Sequence, residues 1–489
     1  MAQKLNSALL DKLPETIGVP TYDRSALTAS ILHVGVGNFH RAHMAVYLDK
    51  LFALGESHDW AICGAGVRGG DAVMRERLME QDLLTTVVEL DPSGLTARVT
   101  GSMTEFLPVD PNALIERMAS PVTKIVSTTI TEGGYYVNAL TNGFDAAHPD
   151  MVADAAHADA PKTVFGMVIK ALRLRRNNGL EPFTFMSCDN LPENGHVAKQ
   201  TVVGLARLSD PAFADWIAAN VAFPNSMVDC ITPATSDRER EMVKDKFGIV
   251  DTAPVACEPF RQWVLEDNFP TGRPALEKVG AEFVADVAKY ELMKLRILNG
   301  GHAAIAYPSA LIGHHFVHDA MADPLIRDWL DTLERREIMP TLEPIEGVDY
   351  DAYREKIIER FSNPEVGDTI PRLCLDGSNR QPKFILPTAR DALAKGLAVE
   401  GLALEVALWC RYCAGTDEAG NAIAPNDDNH EELKRRALEA KERPSAFLEN
   451  KSVFGDLAEN TVFADAFAEK ITALWADGVK KVLSDYIGA

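Results

Sequence analysis

A lysine, an asparagine and a histidine interrupt an otherwise apolar run at residues 294 to 302, KLRILNGGH, inside the longer helical pattern AEFVADVAKYELMKLRILNGGHAAIAY. At about 100° per residue, Glu291, Lys294, Asn299 and His302 fall within an arc of about 140° on an ideal α-helix, so they share one side. A polar stripe alone is equally compatible with a solvated face. Here Leu295, Ile297, Leu298, Ala303, Ala304 and Ile305 leave little width for one. A lysine desolvated among such neighbours has a depressed pKa, which suits it to take up a proton near neutral pH.

The chemistry that fits is oxidation of an alcohol to a ketone. It needs a base for the hydroxyl proton, a nicotinamide for the hydride, and donors around the oxygen where negative charge develops. Lys294 is the candidate base, the side-chain amides of Asn299 and Asn190 are candidate donors, and His302 is placed to hold a neighbouring hydroxyl. Asn190 ends the strand pattern FTFMSCDN ahead of LPENGHVAK, at the carboxyl edge of a parallel sheet where ligands bind. Capping of the following helix is the other use of Asp189 or Asn190 at such a junction.

The nucleotide has a candidate turn in HVGVGNFHRAH, where Gly35 and Gly37, with Asn38 and Phe39 after them, fall between a strand pattern and a helix pattern. That is where a dinucleotide fold brings backbone close to pyrophosphate. His40 stands in place of the third glycine of G-x-G-x-x-G, so a tight strand-to-helix turn of any α/β protein is an open alternative. Arg41 is one residue further on and within reach of a phosphate. The second strand pattern, DWAICGAGV, ends in RGGD. Asp71 there can accept hydrogen bonds from the adenine ribose hydroxyls and repel a 2′-phosphate, whereas Arg68 would welcome one.

The elements that must position these groups follow two regimes. From residue 30 short apolar runs alternate with longer helical patterns: SILHVGVG, FHRAHMAVYLDKLFAL, DWAICGAGV, PNALIERMAS, TKIVSTTIT, TVFGMVIKALRLRRNNG and PFTFMSCDN. This is the βαβ alternation of a parallel sheet. LLTTVVEL and LTARVTGS, joined by DPSG, predict a hairpin inserted into that sheet. Beyond about residue 285 helical periodicity dominates. The expectation is an α/β Rossmann-type NAD-binding domain over 1–285 and a mostly α-helical substrate-binding and catalytic domain over 286–489.

Composition narrows the partners. The chain has 489 residues and a formal charge of -22, from 49 basic against 71 acidic residues. Such a balance disfavours nucleic acid and anionic membranes. The amino terminus lacks the apolar core of a signal peptide, and no apolar run approaches the roughly 18 residues of a membrane span, so a cytoplasmic location is expected. Seven cysteines are scattered without a disulfide framework. Cys410 and Cys413 form a lone C-x-x-C in an apolar helical run, read as packed thiols rather than a redox or metal pair.

VGVGNFHRAH at 34 to 43, STTITEGGY at 127 to 135, SCDNLPENG at 187 to 195, FPNSMVD at 223 to 229 and KLRILNGGH at 294 to 302 together carry a resemblance. Nearly end to end, the chain resembles the polyol-specific long-chain dehydrogenases, and within them the mannitol 2-dehydrogenase branch. The resemblance implies Lys294 as catalytic base, Asn190 and Asn299 as the oxyanion-stabilising pair, His302 and Asp229 on substrate hydroxyls, and Glu291 as the carboxylate that gates proton exchange. It implies that Arg372, Arg380 and Lys383 line the polyol site. It also implies metal-independent chemistry and a monomer or small homo-oligomer. Two positions depart from the pattern. Cys230 stands where the family has arginine after Asp229, and Gly70 stands beside Asp71 where related enzymes carry a second acid, so NAD is expected with some tolerance of NADP.

The activity expected from this reading is reversible oxidation of a sugar alcohol to a ketose, first D-mannitol to D-fructose, with D-arabinitol or D-glucitol as alternative substrates. A hexuronate reductase acting on fructuronate or tagaturonate would share the fold and the lysine but would need another cation for the carboxylate. A zinc-dependent polyol dehydrogenase would need clustered Cys and His ligands, and a nucleotide sensor would not need a lysine and two amides around one pocket.

Overall fold

The structure is a computed structural model that describes residues 2–138, 141 and 143–489. The chain divides into two compact units, Met1–Ala288 and Lys289–Ala489.

The first unit is built on five short strands, β1 (Ile31–Val34), β2 (Ile62–Ala65), β3 (Met103–Phe106), β4 (Ile125–Thr128) and β5 (Thr184–Ser187). All pair in parallel, in the order β3-β2-β1-β4-β5. Ile31 lies opposite both Ile62 and Ile125, and Ile125 opposite Thr184. Every residue of β1, β2, β4 and β5 is buried, as expected for parallel strands covered on both faces. The chain moves outward from β1 through β2 to β3, then returns to the other side of β1 for β4. The strand order therefore reverses between β1 and β4, and ligands bind beyond the carboxyl ends of strands at such a point.

Helix α1 (Asn38–Ala42) follows β1 and is set off from α2 (Met44–Ala53) by His43, whose φ of -112° and ψ of -93° break the helical run. Met44, Leu48, Leu51 and Phe52 of α2 join β1, β2 and β4 in one core. Helix α3 (Gly69–Met79) follows β2.

The hairpin Thr85–Glu89 and Thr96–Thr100 forms as the sequence predicts, but not in that sheet. It belongs to a separate four-stranded sheet with Val255–Cys257 and Ile17–Gly18. The reason is pairing: the outer edge of the hairpin is taken by a strand more than 150 residues later in the chain, a partner that local pattern cannot reveal.

The second unit is helical throughout. Its centre is a continuous helical segment made of Ala288–Met293, a π-helical turn over Lys294–Asn299, and Gly300–Leu311. Gly300–Leu311 packs against Pro324–Leu333, Ile370–Leu373, Gly377–Phe384 and Glu400–Cys413. Trp329 and Trp409 are among its largest fully buried side chains. No helix of the described residues is long and apolar enough to cross a membrane.

Candidate active site

In the first unit the candidate groups gather at the carboxyl ends of the strands. Gly35 follows β1 with φ of 99°, and a Cβ there would lie 2.1 Å from the Thr129 carbonyl oxygen. Only glycine fits. Its carbonyl accepts from Thr129 Oγ1 at 2.5 Å and from His33 Nε2 at 3.1 Å. Because a carbonyl only accepts, the His33 proton sits on Nε2, and Nδ1 accepts from Ser127 Oγ at 2.8 Å. Beside Gly37 a Cβ would meet no atom within 4 Å, so a phosphate can approach this backbone.

Asn38 ties the turn to the segment after Asp229, donating to the Pro233 carbonyl at 3.1 Å and to Thr235 Oγ1 at 3.0 Å. Phe39 stacks on His43 at 4.9 Å. His40 stacks on His33 at 3.5 Å, so a flat imidazole fills the space that the third glycine of the motif would leave. Burial pushes His33 down to about 3 and His40 well below its ordinary value, so both rings are neutral.

Arg41 differs from the sequence expectation. It is buried, and its guanidinium donates to the carbonyls of Gly37 and Ala253 and to Asn38 Oδ1. The cation holds the turn from within rather than facing a phosphate. Asp71 is also engaged: Oδ2 accepts from the N–H groups of Val67 and Arg68, both at 2.8 Å, closing a capping box at the start of α3. Its other carboxylate oxygen has no hydrogen bond in this turn. Arg68 is exposed.

Neither Asp189 nor Asn190 caps the helix after β5, which begins at Asn194 behind Glu193. Asp189 instead accepts from the N–H of Ile130 at 3.0 Å, the N–H of Thr131 at 2.7 Å and the Tyr135 hydroxyl at 2.6 Å. Thr131 has φ of 67° and ψ of 161°, a conformation worth about 1–3 kcal/mol of strain for a residue with a side chain. Asn190 is exposed beside this pinned loop. Asn194 Nδ2 donates to the carbonyls of Asp189, at 3.1 Å, and Ser226, at 2.7 Å. It thereby locks the Asn190 loop to the strand Ser226–Asp229, where Asp229 is buried and pairs with Gln262.

In the second unit Lys294 is only 7% exposed. The π turn corrects the geometry read from the sequence. Residues 294 and 299 would diverge by about 140° on an α-helix, but turns closed at i→i+5 bring such a pair nearly into line. Gly300 N–H reaches the Leu295 carbonyl, five residues back. Glu291 is one turn ahead of Lys294, and Asn299 ends the π turn.

His302 is buried and stacks on Phe361 at 4.0 Å. Burial pushes its pKa well down, and the cations Arg372, Arg380 and Arg360 push it further. Arg372 is exposed and holds Asp368 through both Nε and Nη2. Arg380 donates to the Leu373 carbonyl at 2.6 Å. Lys383 is exposed at the end of the same helix, Gly377–Phe384. Among the described residues, no group of three or more His, Cys, Asp and Glu could hold a metal ion.

Residues 29–278 match the family described as the Mannitol dehydrogenase Rossmann domain, and residues 286–475 the Mannitol dehydrogenase C-terminal domain. This chain belongs to the mannitol dehydrogenase family. It is 58% identical to the mannitol 2-dehydrogenase of Cereibacter sphaeroides over 96% of this chain and 98% of the relative. The Pseudomonas fluorescens mannitol 2-dehydrogenase, solved as a ternary complex with NAD and D-mannitol, superposes with a TM-score of 0.87 at 41% identity, over 99% of this chain and 100% of that one. A D-sorbitol dehydrogenase in substrate-free form superposes with a TM-score of 0.90 at 34% identity, over 98% and 100%.

Within this mannitol dehydrogenase chain, several supporting groups escape a sequence reading. Arg360 joins Arg372 and Arg380 around His302, and its place in an ordinary amphipathic helix gives no signal. Arg296, in the π turn itself, is buried and bonds to Thr341 and Asp391. A charged residue among apolar neighbours was the available signal. Cys230, in place of the family arginine, sits in an apolar cluster with Ala42, Val46, Val87, Val255 and Cys257. The cation there is Arg261, whose Nη2 lies 3.1 Å from Cys257 Sγ. Cys257 also accepts from the Cys230 thiol, and both contacts favour its thiolate.

Proposed function

We propose that this protein is an NAD-dependent, metal-independent polyol 2-dehydrogenase that interconverts D-mannitol and D-fructose. The observation that carries the proposal is the buried Lys294 on a π turn that draws Asn299 toward the same side, in a chain matched along its length by mannitol 2-dehydrogenase. π turns are rare and recur at functional sites.

The residues fit the cofactor. The Gly35 turn and the open space beside Gly37 leave room for pyrophosphate, and Asp71 stands at the end of β2 where the adenine ribose is read. When bound, the nicotinamide supplies the hydride acceptor. Lys294 takes the proton from the substrate hydroxyl, a role that requires its neutral amine. Asn299 and Asn190 donate to the oxygen as it becomes a carbonyl. Neutral His302 and Asp229 hold adjacent hydroxyls, Glu291 passes the proton onward from Lys294, and Arg372, Arg380 and Lys383 bound the polyol.

D-glucitol is the second reading, favoured by the similarity to D-sorbitol dehydrogenase. The test is a panel of polyols with NAD and NADP, and of fructose against fructuronate with NADH, on wild type and Lys294→Ala. Lys294→Ala is expected to lose about 10²–10⁴-fold in kcat while NAD still binds, and turnover by the wild type is expected to persist in chelator. A Lys294→Ala enzyme with a near-normal rate removes the lysine from this role.

A further inference from the structure

Helix α2 has a second face. Val46 and Lys50, four apart on α2, share a side turned away from the five-stranded core, with Ala42 at the end of α1 beside Val46. Ala42 and Val46 pack on Val87 and Val255 of the four-stranded sheet. At Lys50 the apolar contact gives way to a cavity of about 240 Å³, walled by Gly18, Glu89, Thr96, Arg98 and Arg261. None of its walls comes from the glycine turn at residues 35 to 37.

The charge in this cavity runs against the chain average. Three cations face one carboxylate in a protein of net charge -22. Glu89 is already taken by Arg261 Nη1 at 2.6 Å. Arg98 gives Nη1 to the buried Asp49 at 2.7 Å, which leaves its Nε and Nη2 without a hydrogen bond among the described residues. Lys50 has neither a hydrogen bond nor an ion pair among the described residues. Although Lys50 is exposed at the cavity rim, partial desolvation lowers its pKa, and repulsion from Arg261 and Arg98 adds to it against the pull of Glu89 and Asp49. The cluster has N–H donors in excess of its acceptors; water meets these donors at the exposed Lys50 and the partly exposed Arg98, where an anion would meet them with opposite charge.

We propose that this cavity is a binding site for an oxyanion of the phosphate class, with Lys50 and Arg98 supplying the free donors and Arg261 a fixed positive wall. The volume decides the size of the ligand. It falls below the roughly 300–1,000 Å³ of sites for drug-sized molecules and has room for a tetrahedral oxyanion with some of its waters. A guanidinium and an ammonium lining one cavity suit phosphate oxygens by charge-assisted hydrogen bonds.

The test measures the unfolding temperature of the full chain against inorganic phosphate, with chloride of equal ionic strength as the control. Saturating NAD is present so that the glycine turn is filled. Wild type should show a saturable rise, since a ligand of the folded state alone stabilises it. Lys50→Gln should weaken the apparent affinity at least about ten-fold with polyol turnover unchanged. A second arm with glycerol phosphate separates sources: tighter binding than inorganic phosphate identifies a phosphorylated metabolite, and equal binding identifies the free ion. No rise beyond chloride overturns the proposal, as does a Lys50→Gln protein that responds like wild type.

Discussion

Acid should loosen the cofactor turn through His33. This imidazole is fully buried, and its Nε2–H holds the Gly35 carbonyl that shapes the turn. Its pKa falls from 6.5 to about 3 because burial penalises the charged form. A group whose folded pKa is depressed binds fewer protons in the folded state. The stability it contributes is therefore present above pH 6.5 and lost as pH falls. For His33 alone the loss is roughly 2 kcal/mol by about pH 5 and about 4 kcal/mol at pH 3, approaching about 5 kcal/mol only below that. That is a large part of the 5–15 kcal/mol typical of a folded domain. His40 and His302 are shifted in the same direction and add to it. The assay is urea unfolding of wild type and His33→Asn near neutral pH and at about pH 5. The stability advantage of wild type over the variant should shrink by roughly 2 kcal/mol on acidification. An advantage that stays constant, or an NMR titration of His33 near its ordinary value, refutes the reasoning.

Two further outcomes follow from the same unit. Gly35→Ala must fit a methyl 2.1 Å from the Thr129 carbonyl oxygen at positive φ; NADH affinity by fluorescence titration should fall at least about ten-fold from the strain alone, and wild-type affinity would contradict the close approach. Asp189→Ala leaves the Ile130 and Thr131 N–H groups without their acceptor, at about 1–3 kcal/mol each. Freed of its clamp, Thr131 should relax and Asn190 lose its support, so kcat should drop more than KM changes, and a purely thermal defect with normal kcat would limit Asp189 to stability.

What the sequence made legible is what local pattern determines. Four of the five strands, β1, β2, β4 and β5, read as short apolar runs because parallel strands are covered on both faces, whereas the edge strand β3, with Thr104 and Glu105 not buried, gave no such run; the glycines of the turn read as a strand-to-helix junction. The hairpin at Thr85–Glu89 was visible as a hairpin, but its sheet was set by Val255–Cys257, far along the chain. Arg41 and Asp71 were recognisable as polar groups at the turn. That Arg41 spends its donors on buried carbonyls, and Asp71 one oxygen on a capping box, depends on atoms placed by tertiary folding. The cationic cavity at Lys50 was invisible for the same reason, since its walls come from four separate stretches of chain.

The π turn is a case apart, because the pattern that marked the candidate residues carried no sign of the turn that spaces them. Lys294, Asn299 and His302 were noticed as polar breaks in an apolar helix, and an α-helix would have left Lys294 and Asn299 some 140° apart, too far round for two groups on one substrate oxygen. Widening a single turn costs helix hydrogen-bond geometry, and apolar periodicity tolerates it without a mark in the sequence. Something must hold the turn open. Arg296 sits in the middle of it, buried, and reaches out to Thr341 and Asp391 on neighbouring segments. A buried guanidinium is costly unless its donors are matched, and here Nη1 and Nη2 are matched to groups outside the helix while Nε has no partner among the described residues. Arg296→Leu is therefore expected to lower kcat while NADH still binds, and a variant with wild-type kcat would separate Arg296 from the spacing of the proposed base and its amide partner.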